Sequence, residues 1–175
     1  MKILFRATGD FMACVRRDLE RPHPFAHERV GFIAVRATAG HGHLVLLAER
    51  YHPVADEEYV EDDTVGALIG QEALRKALEI ALLQSVGILH VHAHFFHGRL
   101  WFSRTDLREQ MRFVPDFFSV RENMPHGALV VNHTSAAGRV WLSRTAVQTI
   151  DEFDTVGDRV DVARGPSGPG IDFYA

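Results

Sequence analysis

The sequence predicts a mixed α/β (α+β) fold, with a central sheet flanked by helices. Three observations predict it. Short apolar runs of strand length alternate with stretches whose apolar residues recur at helical spacing. The 175 residues suit a single hydrophobic core. The composition, 46% hydrophobic and 24% charged, excludes a disordered, collagenous or coiled-coil chain.

The elements follow in order. Lys2 to Arg6 read as a strand, and Phe11 to Glu20 as a helix with Phe11, Val15 and Leu19 on one face, stopped by Pro22 and Pro24. Val30 to Val35 is continuously apolar, the pattern of a strand buried on both faces, and Leu44 to Ala48 repeats it after a Gly40/Gly42 turn, giving a hairpin. His52 to Asp63 is an acidic connection. Thr64 to Gln84 places Leu68, Leu74, Leu78 and Ile80 to Leu83 on a broad apolar face, the long helix of the domain. Gly87 to His94 returns to strand character, and a helix over Ser103 to Phe118 opens with Ser103 as its cap and Asp106 in its first turn. Ala128 to Val131 and Arg139 to Leu142 read as a second hairpin joined through Thr134 to Gly138. The reading is one domain over residues 1–163 and a Gly/Pro-rich tail over 164–175, with no internal repeat.

A net charge of −4 gives no basic field to gather phosphates, which argues against a nucleic-acid partner. The apolar-rich stretch Thr64 to Val86 is broken by Gln71, Glu72, Arg75, Lys76, Glu79 and Gln84, so it predicts no membrane span. A first apolar run too short for a signal peptide and a lone cysteine, Cys14, point to the cytoplasm. Cys14 is expected to be buried rather than nucleophilic.

Histidine is the unusual residue. The chain has 11, of which His90, His92, His94 and His97 fall inside eight residues. Alternate strand residues share a face, so His92 and His94 present two imidazoles side by side, close enough to share one ion. Asp106 supplies a third ligand if the Phe95 to Phe102 loop folds back over the strand end. Two nitrogens and a carboxylate leave the fourth tetrahedral position open for water, the arrangement of a catalytic zinc, whose water has a pKa near 7. His90 with His92 is an alternative ligand pair, and His90 is otherwise an outer-sphere or core residue; His97 is read as a loop or substrate-facing residue. Ser103 and Asp106 also fit a plain helix cap. The proton acceptor is not fixed by local sequence: Glu20, Glu28, Glu49, Glu57 and Glu58 are all candidates. The aromatic run from Phe95 to Phe102, with Phe113, Phe117 and Phe118, is either core or a substrate wall.

His92-Ala93-His94, then Ser103-Arg104-Thr105-Asp106, with Glu28 opening the strand Val30-Gly31-Phe32-Ile33 upstream, resembles the JAB/MPN (JAMM) zinc metallopeptidases, whose signature is a glutamate, His-x-His and Ser-x-x-Asp. The resemblance runs from Glu28 to Leu142, and the segments from Pro125 to Val131 and Ala137 to Trp141 are similar to the closing hairpin of bacterial members. The chain differs in having Ala93 where the family commonly has Ser, Phe95 where it has Pro, and one extra residue among the twelve positions from His94 to Asp106.

The resemblance implies a single JAB/MPN-type domain with a central curved mixed sheet, Zn²⁺ held by His92, His94 and Asp106, Glu28 as general acid/base, and Ser103 as a donor to the oxyanion. It further implies a zinc-dependent peptidase or isopeptidase that processes or deconjugates a ubiquitin-like protein, as in bacterial anti-phage conjugation systems. Ubiquitin-like proteins and their conjugates are then the expected partners. The alternatives are a non-catalytic scaffold or binding protein of the same fold, a member of its DNA-repair branch, and a processing peptidase for sulfur-carrier proteins.

Overall fold

The computed structural model describes residues 1–23, 26–62, 64–95, 100–157 and 160–164. Its frame is a curled mixed sheet in the order β11-β10-β1-β3-β2-β6-β7-β8-β9. The strands are β1 (Lys2–Thr8), β2 (Val30–Gly40), β3 (His43–Pro53), β6 (Gly87–Ala93), β7 (His126–Val131), β8 (Ala136–Trp141), β9 (Val147–Thr149), β10 (Glu152–Val156) and β11 (Val160–Arg164). A separate two-stranded ribbon pairs β4 (Tyr59–Val60) with β5 (Leu68–Ile69). Among the described residues three α-helices complete the fold: α1 (Gly9–Leu19), α2 (Gln71–Gln84) and α3 (Arg104–Phe113).

The sheet has a different cover on each face. On one, Met12, Val15 and Leu19 of α1 pack with Ile3, Phe5, Ile33, Leu89 and Leu129. On the other, Ala73, Ala77 and Ala81 of α2 pack with Val30, Phe32, Ala34 and Ile88. Alternation along β6 therefore puts Leu89 and Val91 toward α1, and Ile88, His90 and His92 toward the opposite face. There the register sets His90 between Phe32 and Ala128, and His92 between Val30 and Val130.

Several boundaries depart from the sequence reading. Helix α2 starts at Gln71, not Thr64, because Gly70 stands extended as its N-cap and Leu68-Ile69 are drawn into the ribbon. The connection after β3 is likewise not featureless: His52 and Pro53 belong to β3, and Tyr59-Val60 pair with β5. The helix after Ser103 stops at Phe113, and Val114–Ser119 continue as tighter 3-10 turns with Pro115 near their start. The β2–β3 turn passes through His41 and Gly42, both at positive φ, as a tight hairpin requires. Strand β3 is buried on one face only: Leu44 and Leu46 point into the α1 core, whereas Leu47 is exposed. Cys14 is exposed, not buried, because the inward stripe of α1 is Met12, Val15 and Leu19 and position 14 falls on the outer side. In the second hairpin Ala136-Ala137-Gly138 are strand, not loop, and the turn is capped by Asn132 Oδ1, which accepts from the N–H groups of Thr134 and Ser135. Pairing of β1 with β10 in parallel, and of β10 with β11, was not evident from sequence pattern and carries the ordered sheet to Arg164. Pro24, Phe96 to Arg99 and residues 165–175, which include His97 and nearly all of the tail, lie outside the described residues. Among the described residues no helix is long and apolar enough to cross a membrane.

Candidate metal centre

Four side chains from four places in the chain meet at the end of β6. His92 comes from the strand and His94 from the residue just beyond it, held by a 2.9 Å bond from its N–H to the Val131 carbonyl. Asp106 comes from the third position of α3, and Glu28 from the turn before β2. Ligand atoms of Glu28, His92 and His94 all lie within 4.8 Å of one another, a grouping that could hold a metal ion. Asp106 Oδ2 is 3.4 Å from His92 Nε2 and 3.6 Å from His94 Nε2, and Glu28 Oε1 is 3.6 Å from His94 Nε2.

These separations suit an ion. Donors about 2.0–2.1 Å from a tetrahedral zinc stand roughly 3.3–3.5 Å from one another. At 3.4 Å the His92–Asp106 contact is too long for a good hydrogen bond, and both ring nitrogens of the buried His92 make none among the described residues. A buried nitrogen left unpaired among the described residues, beside a carboxylate and a second imidazole, stands where a metal ligand could. His94 is oriented in the same sense, since its Nδ1 faces the Trp101 carbonyl at 3.1 Å, so the N–H belongs on Nδ1 and Nε2 is the atom turned toward Glu28 and Asp106.

Local sequence explains how Asp106 is held. Ser103 caps α3, accepting from the Asp106 N–H at 3.1 Å, while the Asp106 carboxylate accepts from the Ser103 N–H at 2.7 Å. This reciprocal box fixes Asp106 before any metal arrives. Burial raises the Asp106 pKa, but His92 and the two Ser103 bonds outweigh it and hold the carboxyl well below the usual carboxylate range. Burial, with His92 adding, lowers the pKa of His94 despite the opposing pull of Glu28 and Asp106. Burial also pushes His90 down to about 3, so at pH 7 it is neutral. The His94 and His90 imidazoles are thus favoured in the neutral form, the form that binds metals.

Glu28 is placed by its surroundings. Its N–H, like that of His27, donates to the Gly66 carbonyl at 2.9 Å. The next residue, Arg29, is buried and anchored by its guanidinium to Asp56 at 2.6 Å and to the Pro22 and Arg21 carbonyls at 2.8 and 2.9 Å. Gly66 lies so close that a Cβ there would stand 2.7 Å from Glu28 Oε2. The other glutamates weighed as proton acceptors are committed elsewhere or away from the site: Glu20 to His133, Glu49 to Arg36 and Glu58 to Lys76, with Glu57 in the Asp56–Glu58 turn.

The cluster opens on a cleft of about 1440 Å³ that also carries Trp101, Ser103 and Phe113. That exceeds the roughly 300–1,000 Å³ of a small-molecule pocket. The aromatic question divides accordingly: Trp101 and Phe113 form cleft wall, Phe102 lines the cleft while largely buried, and Phe117 and Phe118 are buried in the core. Sequence reading missed Gly66 and Gln110. Gly66 carried no signal, being remote in sequence from Glu28; Gln110 was detectable in principle, four residues after Asp106 and so on its helix face.

The fold and site together define a mixed α/β domain bearing an open, metal-competent histidine–carboxylate cluster. The chain matches no protein-family model and no curated protein.

Proposed function

We propose that the chain is a zinc-dependent peptidase or isopeptidase of the JAB/MPN (JAMM) type. The observation that carries this reading is the convergence of two imidazoles and two carboxylates on one open cleft, with the residues in the order of the glutamate, His-x-His, Ser-x-x-Asp signature. His92, His94 and Asp106 hold the metal. Zinc bound there supplies Lewis acidity and makes water a usable nucleophile at neutral pH.

The chain's own residues do the rest. Glu28, whose carboxylate borders the cluster 3.6 Å from His94 Nε2, accepts the proton of the attacking water and returns it to the leaving amine. Ser103, which lines the cleft beside Asp106, turns its hydroxyl hydrogen from the Asp106 carboxylate to a carbonyl oxygen gaining negative charge. The cleft is open enough to admit a polymeric substrate, and the JAB/MPN resemblance names a ubiquitin-like protein or its conjugate, in a cytoplasmic conjugation pathway of the anti-phage kind.

The test is cleavage of a panel of ubiquitin-like proteins carrying C-terminal fusions, by protein reconstituted with Zn²⁺, beside Glu28→Gln. The expected result is release of the fusion by the wild type alone. Equal release by Glu28→Gln, or none by the zinc-loaded wild type on linear and isopeptide substrates alike, contradicts the proposal.

A further inference from the structure

Beside the metal cluster the cleft holds a second group of polar atoms that its chemistry does not use. Gln110 is 2% exposed, and both its amide oxygen and its amide nitrogen are buried without a hydrogen-bond partner among the described residues. The same holds for Nδ1 of His90 and Nδ1 of His92. A buried polar atom left unpaired is costly, so four in one place call for a role.

Their relative placement follows from the helix and strand that carry them. Asp106, Gln110 and Phe113 are spaced by four and three residues, one stripe along α3. The first of the three stands 3.4 Å from His92 Nε2, and the ring of the last stands 5.2 Å, centre to centre, from His90. Gln110 lies between them on that stripe, and therefore faces β6 between His92 and His90. The two histidines share a strand face with ring centres 5.7 Å apart.

Resting on the metal-centre reading, we propose that Gln110 is a positioning residue that links His92 to His90 when the metal is bound. A metal on His92 Nε2 leaves the proton on Nδ1, and a metal-bound histidine ordinarily donates that N–H to an acceptor. Gln110 Oε1 is the acceptor. Its amide Nε2–H then donates to His90 Nδ1, which puts the His90 proton on Nε2. His90 is half-buried and lines the cleft, with Nδ1 as its buried nitrogen, so this Nε2–H is a fixed donor toward substrate. The group it takes is a carbonyl or carboxylate oxygen next to the reacting bond. All four orphaned atoms are satisfied by one side chain that carries both a donor and an acceptor, which explains why glutamine occupies a buried position in a helix.

The experiment compares wild type, Gln110→Leu and Gln110→Glu, all full-length, titrated with Co²⁺ and Zn²⁺ and examined by nitrogen-15 spectra of the histidine rings. Gln110→Leu keeps the volume and removes both hydrogen-bonding atoms; Gln110→Glu restores the acceptor. The expected result is a hydrogen-bonded His92 Nδ1–H in the metal-loaded wild type, its loss in Gln110→Leu with a 10–100-fold weaker metal affinity, and its return in Gln110→Glu. Unchanged affinity and an unchanged His92 resonance in a metal-loaded, folded Gln110→Leu overturn the link while leaving the metal centre intact. Failure of the wild type to take up either ion overturns the metal-centre reading, and this one with it.

Discussion

Asp106 Oδ2 stands 3.4 Å from His92 Nε2 while accepting a 2.7 Å hydrogen bond from the Ser103 N–H, so one carboxylate serves the cap of α3 and the imidazole cluster together. The two roles separate on substitution. With Asp106 as the proposed third ligand, Asp106→Ala is expected to weaken Zn²⁺ binding by at least about 100-fold, beyond the usual loss for an outer-sphere partner. The Ser103 N–H loses its acceptor while the bond from the residue-106 N–H to Ser103 Oγ stays, a cost of about 1 kcal/mol of stability. Metal titration alongside thermal unfolding measures both; full zinc affinity in Asp106→Ala assigns the third ligand to Glu28 instead.

Glu28→Gln keeps the size of the side chain and removes its basicity. Metal binding is expected to persist while turnover falls about 10²–10⁴-fold, the range for a lost general base. Elemental analysis and an activity assay on the same preparation check the pair, and loss of metal would show that Glu28 is itself a ligand.

Gly66→Ala tests how Glu28 is positioned. The added Cβ would sit 2.7 Å from Glu28 Oε2, so the carboxylate has to move. A displacement of about 1 Å in a reacting group can lower a rate by about 10²-fold. The expected variant folds, binds zinc and turns over about 100-fold more slowly; normal turnover contradicts the positioning role.

His126 predicts an acid-sensitive fold. It is fully buried in β7, where Nδ1 accepts from the Ile88 N–H at 3.1 Å and Nε2–H donates to the Arg121 carbonyl at 2.9 Å. Burial pushes its pKa down to about 4, against an ordinary 6.5 in the unfolded chain. The unfolded state therefore binds the proton more readily. Its stabilising contribution is fully present above pH 6.5 and is lost as the pH falls from there to about 4, a loss on the order of 3 kcal/mol. Denaturant unfolding between pH 7.5 and 4 measures it. In His126→Gln that share of the pH dependence is expected to vanish, and an unaltered slope would assign the acid sensitivity to other groups.

Much of this fold was legible because Val30 to Val35 of β2 is uniformly apolar, because β6 and β7 are apolar apart from their histidines, and because Ser103 and Asp106 carry a capping signature that is local in sequence. The cluster was legible for the same reason: strand alternation alone places His92 beside His94. What escaped depends on pairing between remote segments. The strand Glu152–Val156 is defined by its parallel neighbour Lys2–Thr8, some 150 residues earlier, and has no apolar run of its own. Thr64 to Ile69 has helical spacing but yields to the ribbon with Tyr59-Val60 and to the Gly66 contacts that seat Glu28. Gln110 is polar in sequence, and only the stripe from Asp106 to Phe113 against His92 and His90 shows that it is interior.

The central claim is that His92, His94 and Asp106 hold one metal ion, and metal content per chain tests it most directly. Protein purified without chelator or a polyhistidine tag, and again after reconstitution, is analysed beside His92→Ala and His94→Ala. The account predicts about one zinc per wild-type chain and none retained by either variant. A wild type that holds no zinc after reconstitution, or variants that hold as much as the wild type, would contradict it.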